Sequence, residues 1–192
     1  MANSDIALFD LVSVSQELPL NELVNDGSNP FNDDFVFSAA ASRRRLVTPV
    51  VNGSDADPDT LIARRSLFVR LNRAYVAATA LSVDVTVFAS RALGTHTKAT
   101  VRAYAVGTDG VATGANLVTT AEQTFQGQTT PTVLSFAINP ASLVPGSKLC
   151  IEIEFNLNDT GVAGGSADAT ATLSRALLTT TAAGGLDFFQ VL

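Results

Sequence analysis

From about Ser66 onward, apolar and polar side chains alternate along this chain. Leu67, Val69 and Leu71 alternate with Phe68, Arg70 and Asn72. Leu81, Val83, Val85, Val87 and Ala89 share one face of the next run, opposite Ser82, Asp84, Thr86 and Ser90, with Phe88 the one apolar side chain on the polar side. Val101, Ala103 and Ala105 oppose Arg102 and Tyr104, and Leu134, Phe136 and Ile138 line a further run. The clearest is Lys148 to Leu157, where Leu149, Ile151, Ile153, Phe155 and Leu157 oppose Lys148, Cys150, Glu152, Glu154 and Asn156. A last run near Ala167 to Leu177 places Ala167, Ala169, Ala171 and Leu173 inside. A period of two is the repeat of a strand with one buried face.

Turn-forming residues separate these runs. They include Gly107-Thr108-Asp109-Gly110, Asn139-Pro140, Val144-Pro145-Gly146-Ser147 and Asn158-Asp159-Thr160-Gly161. The pattern predicts about seven or eight strands with no intervening helix. One-sided alternation implies antiparallel sheets sharing a single core. The expected fold is therefore all-β, an antiparallel two-sheet sandwich of the jelly-roll type, with an immunoglobulin-like sandwich as the competitor.

The first sixty residues read differently. Pro19, Pro30, Pro49 and Pro58 interrupt them, and Asn25 to Pro30 is a dense turn signal. Only Ile6 to Val14 hints at regular structure there, with a short strand around Phe35 to Phe37. The expected organisation is an extended N-terminal arm over 1–60, a sandwich over 61–182 and a short C-terminal tail over 183–192. Phe9, Phe31, Phe35, Phe37, Phe188 and Phe189 lie on the arm and tail. Large rings on irregular segments need a surface to bury against, so they are candidate contact residues.

Composition supports a folded core: 46% of residues are hydrophobic, 16% are charged, and the mean hydropathy is +0.27. The net charge of −6 argues against nucleic acid as a partner, because phosphate neutralisation needs a cationic face. The charge is segregated. Residues 1–60 hold ten acids and three arginines, 61–105 hold seven bases and one acid, and 106–192 hold seven acids and two bases. The acidic flanks either neutralise the basic middle within one chain or meet it on another copy. Arg43-Arg44-Arg45 could grip carboxylate or phosphate, or form a solvated or acid-paired surface. No apolar run is long enough for a membrane helix and the N-terminus lacks a secretory pattern. The sequence thus implies no membrane partner and synthesis in a cytoplasm.

Chemistry-bearing residues are few. His96 is the only histidine, with no flagged nucleophile or orienting acid, and Cys150 is the only cysteine, in a strand pattern. Glu152 and Glu154 share a strand face, which reads as a solvent face or a charge-guarded edge rather than an acid–base pair. Asp55, Asp57 and Asp59 resemble the start of a calcium loop, but Pro58 intrudes and the rest of the pattern fails, leaving an acidic linker as the other reading. Asp159 and Asp168 bracket a Gly-rich loop and could chelate an ion. These residues support no enzyme and no cofactor.

The stretch Leu134-Ser135-Phe136-Ala137-Ile138-Asn139-Pro140, then Leu143 to Leu149, Ile151 to Phe155 and the Asn158–Gly161 turn resembles the sandwich of tailed-bacteriophage capsid decoration, or cement, proteins. That resemblance covers about the last 120 residues and is one of style. It implies a non-enzymatic virion structural protein on the capsid surface. Such a protein clamps adjacent major capsid protein subunits, usually as a homotrimer, with its arms crossing subunit boundaries. The alternative is a receptor- or glycan-binding sandwich of a tail fibre or cell surface, with a groove lined by Tyr75, Tyr104 or His96.

Overall fold

The computed structural model describes residues 10–20, 36–38, 45–50, 60–90, 97–125, 130–158 and 170–184. Eleven strands account for the regular structure of these residues: β1 (Asp10–Glu17), β2 (Val36–Ser38), β3 (Arg45–Val47), β4 (Thr60–Arg70), β5 (Leu81–Ala89), β6 (Thr97–Val106), β7 (Ala112–Thr113), β8 (Gln123–Thr124), β9 (Thr132–Ala137), β10 (Lys148–Asn158) and β11 (Ala171–Gly184). One sheet runs β2-β3-β11-β5-β9, with β1 also paired to β11. The other runs β4-β10-β6-β7, with β8 also paired to β6. Every pairing is antiparallel. From β3 to β6 the chain changes sheet at each strand, and it does so again from β9 to β11. This interleaving is jelly-roll-like, and the expected all-β two-sheet sandwich is what the structure shows.

The alternation seen in the sequence becomes the core. Val83, Val85, Val87 and Phe136 from one sheet face Val101, Leu149, Ile151, Ile153 and Phe155 from the other, and all nine are buried. Phe136 and Phe155 are the largest fully buried side chains. Phe125, beyond β8, packs its ring 5.2 Å from that of Phe155 at 56°, a tilted geometry that aromatic pairs favour. The β9–β10 link uses Pro145 to fix one turn dihedral, and Gly146 takes φ +78, where a side chain is strained. Ser147 N–H donates to Val144 O across that turn at 3.0 Å.

One feature departs from the sequence reading. The last strand continues to Gly184, because a register shift between Leu173 and Arg175 changes which residues point inward. Ala171 and Leu173 are buried before the shift, Ala176, Leu178 and Ala182 after it. Ser174, at the irregularity, donates its hydroxyl to Thr86 O at 3.1 Å. Such a bulge reverses strand parity, so a single alternation does not extend through the whole strand. Ala167 and Ala169 lie outside the described residues.

The first sixty residues contribute strands where they are described. β1 pairs with β11 along its whole length, from Asp10↔Gly184 to Glu17↔Leu177. β3 takes the start of the same β11 edge through Thr172↔Val47 and Leu173↔Leu46. Leu18, Leu20 and Leu46 belong to the hydrophobic core. Most of the described residues of this segment are thus in sheet strands. Its other residues, including Phe9, Phe31 and Phe35, lie outside the described residues.

Candidate interaction surface

The central strand of the second sheet, β10, sits between β4 and β6, so its outward side chains have neighbours on both sides. Glu152 is opposite Ser66 and Arg102, and Glu154 is opposite Arg64 and Thr100. Arg102 donates from Nη1 to both Glu152 and Glu154, and from Nη2 to Glu154 Oε1 at 3.2 Å. Arg64 donates from Nε to Glu154 Oε2 at 2.8 Å and pairs through Nη2 with the same oxygen. Its Nε also lies 3.5 Å from Glu152.

Glu154 is only 7% exposed. Burial by itself would raise its pKa, but hydrogen bonds from Arg102 and Arg64 outweigh that and hold the carboxyl below its usual range. The hydrogen bond with Glu154, joined by the one with Glu152, outweighs burial and pushes Arg102 up. The expected solvent face or guarded edge is therefore corrected. β10 is central, and its two carboxylates are capped by two arginines whose stems cover the sheet.

One row further along, Cys150 lies between Phe68 on β4 and Tyr104 on β6. The Lys148 ammonium stands 4.4 Å from the centroid of the Phe68 ring, a cation–π contact worth about 0.5–1 kcal/mol at an exposed site. Burial, then the Glu152 carboxylate, push the Cys150 thiol up, which suppresses the thiolate needed for nucleophilic chemistry.

The outward face of the first sheet is built on hydroxyls. Asp84 on β5 accepts from Ser135 on β9 at 2.5 Å, from Thr179 on β11 at 2.7 Å and from Ser82 at 3.3 Å. Ser15 on β1 joins Thr179 at 3.1 Å. A polar line thus crosses four strands. Phe88, the apolar exception on β5, lies beneath the Arg45 guanidinium at 5.7 Å.

Among the sequence-derived contact residues, Arg45 is the one whose side chain is described, and it lies over Phe88 on a sheet face. Phe37 is on β2, with its side chain outside the description. Phe9, Phe31, Phe35, Arg43, Arg44, Phe188 and Phe189 lie outside the described residues, as do His96, Asp55, Asp57, Asp59, Asp159 and Asp168. Tyr75 is 2% exposed and donates its hydroxyl to Thr79 O at 3.3 Å, so it cannot line a sugar groove. Tyr104 faces outward on β6. Among the described residues, no three of His, Cys, Asp and Glu come together as metal ligands. Arg64, Arg102, Phe68 and Lys148 were not singled out from sequence as contact residues. The available signal was their outward parity on runs that pair with one another.

No family model matches the chain, and no curated protein matches it. Solved structures with a similar course include dimeric latent PorU from Porphyromonas gingivalis, at 13% identity and TM-score 0.42, over 95% of this chain and 14% of that one. TmCBM61 in complex with beta-1,4-galactotriose is similar at 9% identity and TM-score 0.39, over 89% and 88% of the two chains. A protein of the infectious bursal disease virus Gx strain is similar at 18% identity and TM-score 0.33, over 90% of this chain and 39% of that one. At these values the likeness carries neither a function nor a ligand to this chain.

Proposed function

We propose that this chain is a non-enzymatic structural protein of a virion, a capsid decoration or cement protein. It binds adjacent major capsid protein subunits and copies of itself and stabilises the shell. The virion assignment comes from the resemblance in the C-terminal half. The observation that carries the assembly role is β1. Among the described residues β11 is its only strand neighbour, and its other edge has no strand partner among them. Leu11 is 59% exposed and Val12 40%, and the strand carries charge only at its ends, on Asp10 and Glu17. A long, weakly charged edge with exposed apolar side chains is a template for association. The burial of Tyr75 weighs against the glycan-binding alternative.

The test has two stages. Quantitative mass spectrometry of native particles should find this chain in tens to hundreds of copies, on the order of the number of capsomers in a symmetric shell. The double variant Leu11→Lys, Val12→Lys changes exposed positions only and should fold normally by circular dichroism. It should bind particles lacking this chain at least about tenfold more weakly in co-sedimentation. Full-strength binding by that variant, or absence of the chain from particles, sinks the proposal.

A further inference from the structure

One end of the β4–β10–β6 face differs from its centre. Phe68, Cys150 and Tyr104 form a row across three strands, and Phe68 is 52% exposed. Arg70, exposed at the end of β4, is the register partner of Lys148. The central arginines and glutamates neutralise one another, and Lys98 pairs with Glu122 at 2.7 Å. Arg70 and Lys148 have no carboxylate at ion-pair distance among the described residues. The patch is thus an exposed ring flanked by two uncompensated cations.

The complementary charge is in the chain itself. The described residues hold nine Lys/Arg against seven Asp/Glu, whereas the remainder hold three against eleven. The densest acidic run, Asp55-Ala56-Asp57-Pro58-Asp59, directly precedes β4. It enters at the end of the strand opposite Arg70. Ten residues of extended strand between Thr60 and Arg70 span roughly 33 Å. The five residues from Asp55 to Asp59 reach at most about 17 Å. This run therefore cannot fold back onto the Arg70 end of its own sheet, whereas the same run on another molecule is under no such restriction.

We propose that the Phe68–Arg70–Lys148 end of the sheet receives the Asp55–Asp59 run of a second copy of this chain. The carboxylates pair with the Arg70 guanidinium and the Lys148 ammonium, and Pro58 supplies an apolar ring for Phe68. The inference rests on the reading above that copies of this chain meet, and it is tested in solution without any capsid.

The experiment is sedimentation velocity of the full chain. The wild type should self-associate at about 0.05 M salt and at least about tenfold more weakly at about 0.5 M, as screening requires. Arg70→Glu with Lys148→Glu, and separately Asp55→Lys with Asp57→Lys and Asp59→Lys, should each sediment as monomers. An equimolar mixture of the two variants should recover a complex, because each supplies the face or the run that the other has lost. Phe68→Ala should weaken wild-type association about tenfold. A wild type that is monomeric at every salt, an unchanged mass in either reversed variant, or a mixture that stays monomeric overturns the inference. An unchanged mass would mean that copies meet through another surface, and a monomeric mixture that this face and this run do not pair. Particle binding through β1 is measured separately, so either proposal can fail alone.

Discussion

The outward face of the β4–β10–β6 sheet is organised around four formal charges, whereas that of the β1–β11–β5–β9 sheet is organised around one carboxylate among hydroxyls. Glu154 and Asp84 occupy comparable places, each mid-way along a strand with neighbours on both sides. Glu154 is matched by cations on both flanking strands, and Asp84 by neutral donors on β9, on β11 and from Ser82. The difference teaches where pH and salt can act. A carboxylate under two guanidiniums contributes through charge, so removing its charge leaves two cations over a sheet face. A carboxylate among hydroxyls contributes through separate, modest hydrogen bonds.

The inner faces set the reference. Phe155→Ala and Phe136→Ala should each destabilise by about 3–5 kcal/mol in denaturant unfolding, because both leave cavities in one shared core. A loss below about 1 kcal/mol in either would show that the sheets do not share that core equally. On the outer faces, Glu154→Gln should cost about 1–3 kcal/mol, and a double-mutant cycle with Arg102→Met should show strong coupling. Asp84→Asn should cost less, about 0.5–1.5 kcal/mol, with the coupling to Thr179→Val small. Equal costs at the two sites would break the comparison.

pH sharpens it further. The folded Glu154 pKa lies below its ordinary value of 4.5. Its contribution is therefore complete above about pH 4.5 and is lost as pH falls through the lower folded value. Wild type minus Glu154→Gln stability, measured by urea unfolding, should be flat from pH 7 to about pH 5 and shrink below that. A difference that grows on acidification would mean that the arginines do not stabilise the carboxylate. The smallest effect belongs to Cys150→Ser, which should change stability by less than about 1 kcal/mol at this half-covered outward position. Alkylation of the native thiol at neutral pH should run slower than that of glutathione. Fast alkylation would contradict the raised thiol pKa and reopen Cys150 as a reactive site.

The sandwich was legible where each strand obeys one parity throughout. β5, β6 and β10 have one inward set from end to end, and their alternation named the core directly. β4 was legible only from Ser66, because the adjacent Arg64 and Arg65 interrupt the pattern that Leu61 and Ala63 begin. β11 was cut short because its register shift moves the inward set from odd to even positions. β1 has one strand neighbour among the described residues, and Val12 and Leu11 are both exposed, so burial does not sort its two faces. The short β2 and β3 have three residues each, too few for a period to show.

The candidate surface was less legible. Glu152, Glu154, Arg102 and Phe68 were visible as outward residues, but their grouping depends on which strands become neighbours. Glu154 and Arg64 are ninety positions apart, and Glu154 and Arg102 fifty-two. Tyr75 is a candidate for stacking on sequence grounds and is buried in the link between β4 and β5.

The sequence by itself determined the class of fold, the inward set of most strands, the turns at Gly110 and Gly146, and the segregation of acidic and basic stretches. These are local properties: side-chain parity, turn chemistry and charge act over a few residues. Only the tertiary structure decided the strand order, the capture of residues 10–17 by β11, and the assembly of Arg64, Arg102, Glu152 and Glu154 into one ionic group. Those outcomes follow from antiparallel register between distant segments, which is fixed when the two sheets close over a common core.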